Sequence, residues 1–262
     1  MPTLTVAGAK TYYAHRRPVP ADRLPVVFVH GAGGTHQHWL YQVRDLPRER
    51  TYALDLPGHG QSAGQGRDSI AAYADWVIAF LDAVGIERAI LVGHSMGGAI
   101  CLDVALRYPA RAAGLGLVAS GARLRVAPAI LGMIRQDPEG AVRLITDWAF
   151  GPEAPPDLVR LGRRQMGATP PEVLYGDFVA CDLFDALDRL AQLSTPTAIV
   201  CGSQDRLTPA KYALYLRDQI AGAALHLVEG AGHMVMVEQP QAVVRALTSL
   251  VERVSENPGP AA

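Results

Sequence analysis

Cysteine, blocks of like charge and long apolar runs are all scarce in this chain of 262 residues. Its three cysteines include no Cys-x-x-Cys pair, so nothing indicates a disulfide framework or a cysteine metal site. The net charge is −1 and no block carries one sign, which argues against nucleic acid as a partner. No apolar run reaches the roughly 18 residues that would cross a membrane, so we expect no membrane association.

The amino-terminal region also lacks a targeting pattern. Its first twenty residues interleave prolines and basic side chains and have no apolar centre of the kind found in secretory signals. Cys101, Cys181 and Cys201 lie far apart, and we expect them to be small buried side chains. These features together predict a reducing, cytoplasmic setting.

Strand-like and helix-like segments alternate along most of the chain, in which 49% of residues are hydrophobic. Residues 3–7 and 11–16 are strand candidates joined across Gly8 as in a hairpin. The later strand candidates are the apolar runs 25–30, 51–55, 88–92, 114–119, 197–201 and 224–228. The helix candidates, chosen by apolar spacing, are 69–84, 98–108, 209–220 and 240–254. This order predicts an α/β fold with a mostly parallel sheet of about eight strands and helices on both faces.

One long segment interrupts the alternation. Residues 122–193 are helix-like, are broken by prolines and contain no clear strand. We therefore predict a core formed by residues 1–121 and 194–262, with 122–193 inserted as a helical cap. Large apolar residues of this cap are candidates to line a pocket, although each alone is more commonly packed in the cap's own core. They are Ile130, Met133, Ile134, Trp148, Phe150, Met166, Leu174 and Phe178.

Ser95 stands between a strand candidate and a helix candidate, in the sequence Gly-His-Ser-Met-Gly. A tight strand-to-helix turn leaves little space for side chains, so glycine two residues to either side suits it. Such a turn exposes the serine hydroxyl above the end of the sheet. The glycine-serine spacing alone is common, but the strand-turn-helix context favours a nucleophile.

A serine hydroxyl is a poor nucleophile near neutral pH and needs a base, which in turn needs an acid to orient it. Asp205 follows the strand candidate 197–201, and His233 follows 224–228. The carboxyl ends of parallel strands converge on one edge of such a sheet, where ligands bind. We therefore predict Ser95, Asp205 and His233 as the catalytic residues, in the chain order typical of α/β-hydrolases.

Acyl transfer also requires donors for the oxyanion of the tetrahedral intermediate, and backbone amides usually supply them. One candidate is the amide of Met96, directly after the serine. The other lies in the glycine-rich loop, residues 30–34, with the sequence His-Gly-Ala-Gly-Gly. Glycines let this backbone approach a substrate closely, and we predict the Ala32 amide, with Gly33 as the second choice.

No cofactor or metal is expected. The glycine-rich loop lacks the Lys and the Ser or Thr of a P-loop and the G-x-G-x-x-G spacing of a dinucleotide site. His36 and His38 stand one residue apart, as metal ligands can, but no third ligand cluster accompanies them.

Five stretches together resemble the α/β-hydrolase superfamily over almost the whole chain. They are residues 29–34, 55–62, 93–98, 202–205 and 232–233. The resemblance implies an α/β-hydrolase fold with a helical cap, and hydrolysis of a small-molecule ester by water through an acyl-enzyme. These stretches are specific for the fold and the triad, and much less so for the substrate.

Several functions remain within this resemblance. The chain looks like the carboxylesterases, lactonases and cofactor-free serine haloperoxidases that carry a helical cap. Haloalkane dehalogenases and epoxide hydrolases have an aspartate in place of Ser95, which disfavours their chemistry. Carbon-carbon hydrolases of ring-fission products share the Ser-Met-Gly-Gly stretch, but their pattern has Asn where this chain has His94. They are the chief enzymatic alternative, and a hydrolase-like small-molecule receptor is the non-enzymatic one.

Overall fold

An eight-stranded sheet lies at the centre of the part of the chain that the computed structural model describes, residues 3–16, 23–47 and 50–256. In chain order its strands are β1 (Thr3–Val6), β2 (Ala9–Arg16), β3 (Val26–Val29), β4 (Thr51–Leu54), β5 (Ala89–His94), β6 (Ala112–Val118), β7 (Thr197–Gly202) and β8 (Ala224–Val228). Their order across the sheet is β1-β2-β4-β3-β5-β6-β7-β8. The pairings of β2 with β1 and β4 are antiparallel and the others are parallel, so the predicted mostly parallel sheet is confirmed.

Ten α-helices accompany this sheet within the described ranges. They are α1 (Leu40–Asp45), α2 (Ile70–Ala83), α3 (Met96–Arg107), α4 (Pro128–Gln136), α5 (Pro138–Ala149), α6 (Pro156–Gly167), α7 (Pro171–Leu183), α8 (Ala210–Gln219), α9 (Val235–Glu238) and α10 (Pro240–Glu256). None of the helices described is long and apolar enough to span a bilayer.

The central strands are buried on both faces, because successive residues point to opposite sides and helices cover each side. In β3, Val27 and Val29 join one apolar cluster, while Val26 and Phe28 join the other. Helices α2, α3 and α8 cover the first face, and α1 and α10 cover the second. Burial on both faces explains why the central strands are continuous apolar runs in the sequence.

Helix α2 illustrates how closely local signals determine an element. Its buried side chains recur at helical spacing. The Ser69 side chain accepts a hydrogen bond from the Ala72 N–H at 3.3 Å and caps the first turn. Gly85, with φ of +68°, follows the last turn in a conformation that favours glycine. The predicted helix 69–84 therefore differs from the observed one by a single residue at each end.

Helices α4 to α7 all lie between β6 and β7, as expected for the inserted segment. In its described residues this segment forms no strand, and its one bridge pairs Arg123 with Asp185. The division of the chain into core and cap at residues 122 and 193 stays a prediction.

Three short helices in the connections after β3 and β8 have no counterpart in the predicted elements. They are a 3₁₀-helix, His36–Trp39, and the helices α1 and α9. Each spans only four to six residues, which is too few to display an apolar period. They fill the connections after β3 and β8, close to the glycine-rich loop and His233.

Candidate active site

Ser95 occupies a strained turn between β5 and α3. Its φ of 52° and ψ of −116° are unusual for a residue with a side chain. The Ser95 N–H donates to the Val118 carbonyl at 2.9 Å, and the Ser95 carbonyl accepts from the Ser120 hydroxyl at 2.8 Å. Backbone strain of this kind persists only where the surroundings enforce it, and it concentrates at functional sites.

Asp205 and His233 form a buried hydrogen-bonded pair. Oδ2 of Asp205 lies 2.9 Å from Nδ1 of His233. Burial alone would raise the pKa of the Asp205 carboxyl, but His233 and the Thr208 hydrogen bonds outweigh burial and lower it. Asp205 is therefore a carboxylate, and it accepts a hydrogen bond from the Nδ1–H group of His233. Nε2 of His233 is then the ring atom that can take a proton.

Thr208 is a component of the site that the sequence prediction missed. Its hydroxyl donates to Asp205 at 2.8 Å and lies 3.1 Å from Nδ1 of His233. The Thr208 N–H also donates to the same carboxylate. A threonine three residues after an aspartate is a recurrent local hydrogen-bonding pattern, so this residue could have been found from spacing.

Ser95 and His233 line one cavity of about 270 Å³, which Ala32 also lines. Most other lining residues are apolar and belong to the inserted segment. The predicted lining residues that reach the cavity are Ile130, Trp148, Phe150, Met166 and Phe178.

The lining prediction was wrong for Met133, Ile134 and Leu174. Ile134 and Leu174 are buried in a separate apolar cluster of the inserted helices, and Met133 packs against it. Their positions on α4 and α7 turn them toward neighbouring helices, so the same apolar character serves packing there.

The amides of Met96 and Ala32, the predicted oxyanion donors, have different surroundings from the amide of Gly33, which was the second choice. Met96 is the first residue of α3, where an amide has no acceptor within the helix. Ala32 lines the cavity. The Gly33 N–H instead donates to Oδ2 of Asp177 at 2.8 Å, so it is already occupied. The roles of Ala32 and Met96 stay predictions.

The remaining histidines around the cavity are neutral. Burial lowers the pKa of His30 and His94, and it lowers that of His38 to about 4. The His94 ring packs against His233 at 4.7 Å, and its Nε2 donates to the His233 carbonyl at 3.0 Å. His94 therefore packs against the His233 ring and binds its backbone carbonyl.

His36 and His38 serve different environments. Nδ1 of His36 lies 2.8 Å from Asp55, whereas His38 lines the cavity. Within residues 3–16, 23–47 and 50–256, no group of three or more His, Cys, Asp or Glu side chains could hold a metal ion.

Asp177 on α7 is a second buried carboxylate that the sequence prediction missed. It accepts hydrogen bonds from the Gly33 N–H at 2.8 Å, from Nε2 of His59 at 2.8 Å and from the Tyr73 hydroxyl at 2.6 Å. These partners lie 104 to 144 positions away in the chain. No local pattern could have revealed the contacts.

His59 in this cluster is positively charged. Its Nδ1 lies 3.0 Å from the Pro57 carbonyl, and its Nε2 faces the Asp177 carboxylate. Both partners only accept, so both ring nitrogens must carry protons. Burial lowers the pKa of His59, but Asp177 more than compensates and the net pKa is raised.

The charge on His59 predicts a pH-dependent stability. A raised folded pKa gives a contribution that is complete below the ordinary histidine value of about 6.5 and is lost as pH rises through the folded value. The titratable groups that face His59 are Asp177, Asp55, Tyr73 and the neutral His30. We expect the difference in free energy of unfolding between wild type and His59→Gln, measured in urea, to shrink with rising pH. A difference that grew with pH would contradict the charged pair.

The strand order of the sheet and the helices that cover both of its faces are those of an α/β-hydrolase fold. The chain belongs to the alpha/beta hydrolase family, whose sequence profile matches residues 26–246. The resemblance and the fold predicted from the sequence are therefore confirmed.

Proteins similar to this chain in sequence are described with different activities. The dihydrolipoyllysine-residue acetyltransferase component of the acetoin cleaving system from Pseudomonas putida is 33% identical over 87% of this chain and 64% of its own length. The same component from Cupriavidus necator is matched over 60% of its length, so this chain spans about three fifths of these two relatives. A pimeloyl-[acyl-carrier protein] methyl ester esterase from Neisseria meningitidis is 29% identical over 90% of this chain and 96% of that protein.

Two solved structures are similar to this chain over almost their whole length. A thermophilic esterase superposes with a TM-score of 0.85 at 32% identity, covering 96% of this chain and 97% of its own. Est816, described as an N-acyl homoserine lactone degrading enzyme, superposes with a TM-score of 0.84 at 26% identity, covering 95% and 99%.

Proposed function

We propose that this chain is a serine carboxylesterase that hydrolyses a small, largely apolar ester through an acyl-enzyme. The observation that carries the proposal is the buried Asp205–His233 hydrogen bond beside a serine on a positive-φ turn, with Ser95 and His233 lining one apolar cavity. The esterases among the relatives and solved structures support ester hydrolysis as the reaction class.

The proposed reaction has two halves. Nε2 of His233 takes the proton of the Ser95 hydroxyl as Oγ attacks the ester carbonyl, and the Ala32 and Met96 amides stabilise the oxyanion. The imidazolium then gives its proton to the leaving alcohol, which leaves an acyl group on Ser95. Water, deprotonated by His233, attacks that acyl group, and the imidazolium returns the proton to Oγ of Ser95 as the acid is released. Asp205 remains a carboxylate throughout and holds the imidazole orientation.

A lactonase is the second candidate, because Est816 is described as degrading a lactone and shares the fold at 26% identity. A lactone is an internal ester, so the same groups would act on it. Only the alcohol differs, since it stays attached to the acyl group after ring opening.

The test of the proposal is a phosphonate probe followed by burst kinetics. We expect one fluorophosphonate per chain, mapped to Ser95, and a burst of one product per labelled site with an activated ester, followed by steady turnover. Ser203→Ala is the matched control, because Ser203 follows β7 and bonds Glu229 away from the cavity. Labelling with only one slow turnover would instead favour the receptor hypothesis.

A panel of substrates, assayed under the same conditions, tests which substrate class the enzyme prefers. Esters of graded acyl length, a lactone and a vinylogous diketone compete for the same site. We expect kcat/KM to rise with acyl length until the cavity is filled. Preference for the diketone would identify a carbon-carbon hydrolase and overturn the ester assignment.

A further inference from the structure

The glycine-rich loop is held from two sides. On the sheet side, Nε2 of His30 accepts a hydrogen bond from the Leu56 N–H at 3.0 Å. On the other side, both backbone polar groups of Gly33 are bound by the inserted segment. Its N–H donates to Asp177 at 2.8 Å, and its carbonyl accepts from the Thr169 hydroxyl at 3.2 Å.

The contact at Gly33 bears directly on Ala32. Gly33 has φ of +62°, and a Cβ there would lie 2.7 Å from Leu174 of α7. The peptide between Ala32 and Gly33 is planar, so fixing the Gly33 N–H fixes that whole plane. Adjacent planes share the Ala32 Cα, and this restricts how far the Ala32 N–H can rotate away from the cavity.

Asp177 is well suited to hold a peptide plane rigidly. It is fully buried, and its three donors come from the glycine-rich loop, from the turn after β4 and from α2. Its partner His59 is charged, and hydrogen bonds to ionised groups are shorter and stronger than neutral ones. Burial raises the pKa of Tyr73, so its hydroxyl stays a donor. The three donors hold the carboxylate at the same time, and moving it would leave at least one buried donor unpaired.

We propose that Asp177 is a positioning residue for acyl transfer: from the inserted helix α7 it holds the Ala32–Gly33 peptide so that the Ala32 N–H faces the developing oxyanion. This inference rests on the proposed function of Ser95. It makes the inserted segment a part of the catalytic apparatus as well as a wall of the substrate cavity. Thr169 also holds Gly33, because its hydroxyl donates to the Gly33 carbonyl.

A merely structural anchor would behave differently. Loss of an anchor lowers the melting temperature and the fraction of active molecules, but each surviving site works at its normal rate. Loss of a positioning contact lowers kcat per site, because the oxyanion bond strengthens only in the transition state. The two roles therefore separate when kcat is divided by the number of phosphonate-titrated sites.

The experiment compares Asp177→Ala with Asp177→Asn. We expect Asp177→Ala to lower kcat per titrated site by about 10- to 100-fold, since losing an oxyanion donor outright costs about 10²- to 10³-fold. KM should stay within about threefold, because ground-state binding is unaffected. Affinity for a matched trifluoromethyl ketone, whose adduct with Ser95 carries an oxyanion, should fall in proportion to kcat/KM.

Asp177→Asn keeps an acceptor oxygen for Gly33, so we expect it to recover most of the lost kcat. If Asp177→Ala does not fold, Thr169→Val takes its place: it removes the hydrogen bond to the Gly33 carbonyl and should also lower kcat per titrated site. Asp182→Asn is the matched control: it lies on the same helix and accepts a backbone N–H from Val126 at 2.9 Å, outside the glycine-rich loop. It should change stability without changing kcat per site.

Two failures are distinguishable. If wild type shows no phosphonate label at Ser95, the proposed function is wrong. If wild type labels and turns over, but Asp177→Ala keeps kcat per site and ketone affinity within about twofold, then Asp177 is an anchor only and the inference is overturned.

Discussion

Replacing Ser95 with alanine is expected to lower kcat for a small activated ester by about 10⁴- to 10⁶-fold, the range found when single members of a catalytic triad are replaced. The physical reason is that Oγ supplies the bond that splits one difficult step into two easier ones. We expect the residual rate to come from the proposed oxyanion donors, the amides of Ala32 and Met96. The measurement is the steady-state rate at saturating ester, corrected for the uncatalysed reaction.

A double variant tests the same prediction more sharply, because the effects on kcat of residues that act together do not add. If Ser95 and His233 act as one unit, His233→Ala alone should cost nearly as much as Ser95→Ala, and the double variant little more than either. Independent contributions would multiply instead. The Ser203→Ala control should keep its full rate, and circular dichroism should show the same fold in all variants. Full activity in Ser95→Ala would remove the basis of the mechanism.

Replacing Gly97 with alanine is expected to destabilise the fold by more than about 4 kcal/mol, a loss that few single substitutions produce. A Cβ at this position would lie 2.3 Å from the Val29 carbonyl oxygen and 2.6 Å from that of His30. Both clashes are with backbone, so no side chain can move to relieve them. The turn, β3 and α3 would have to separate, and urea unfolding should report the loss.

Two further variants keep this prediction testable if Gly97→Ala does not fold. Gly132→Ala on α4 is the control, because a Cβ there meets nothing within 4 Å. It should be neutral or stabilising by about 0.5–1 kcal/mol, since alanine favours helix over glycine. At Gly98 a Cβ would clash with the Ser120 side chain at 2.5 Å. Ser120→Gly should therefore rescue Gly98→Ala in part, but should not rescue Gly97→Ala.

Much of the fold could be predicted from the sequence because its signals are local. Apolar runs marked the central strands, since a strand buried on both faces needs apolar side chains throughout. Ser69 and the spacing after it marked α2 to within one residue at each end. Short helices such as α9 escaped because four residues cannot display a period.

The candidate triad was predictable for a topological reason. Ser95, Asp205 and His233 each follow a strand, and a parallel sheet brings strand ends to one edge whatever the loop lengths are. Thr208 could have been added from its spacing to Asp205. The sequence offered both Ala32 and Gly33, and only the structure argues against Gly33, because its N–H is bound by Asp177, which lies 144 positions away.

The sequence by itself determined the strand order along the chain, the serine turn with its glycines, and the positions of the candidate acid and base. Each depends on near neighbours in the chain or on a general rule of parallel sheets. Only the tertiary structure decided which apolar residues of the inserted helices face the cavity, and that Asp177 binds Gly33, His59 and Tyr73. Those outcomes depend on packing between distant segments, where one apolar or acidic residue has many possible partners and only the folded geometry selects among them.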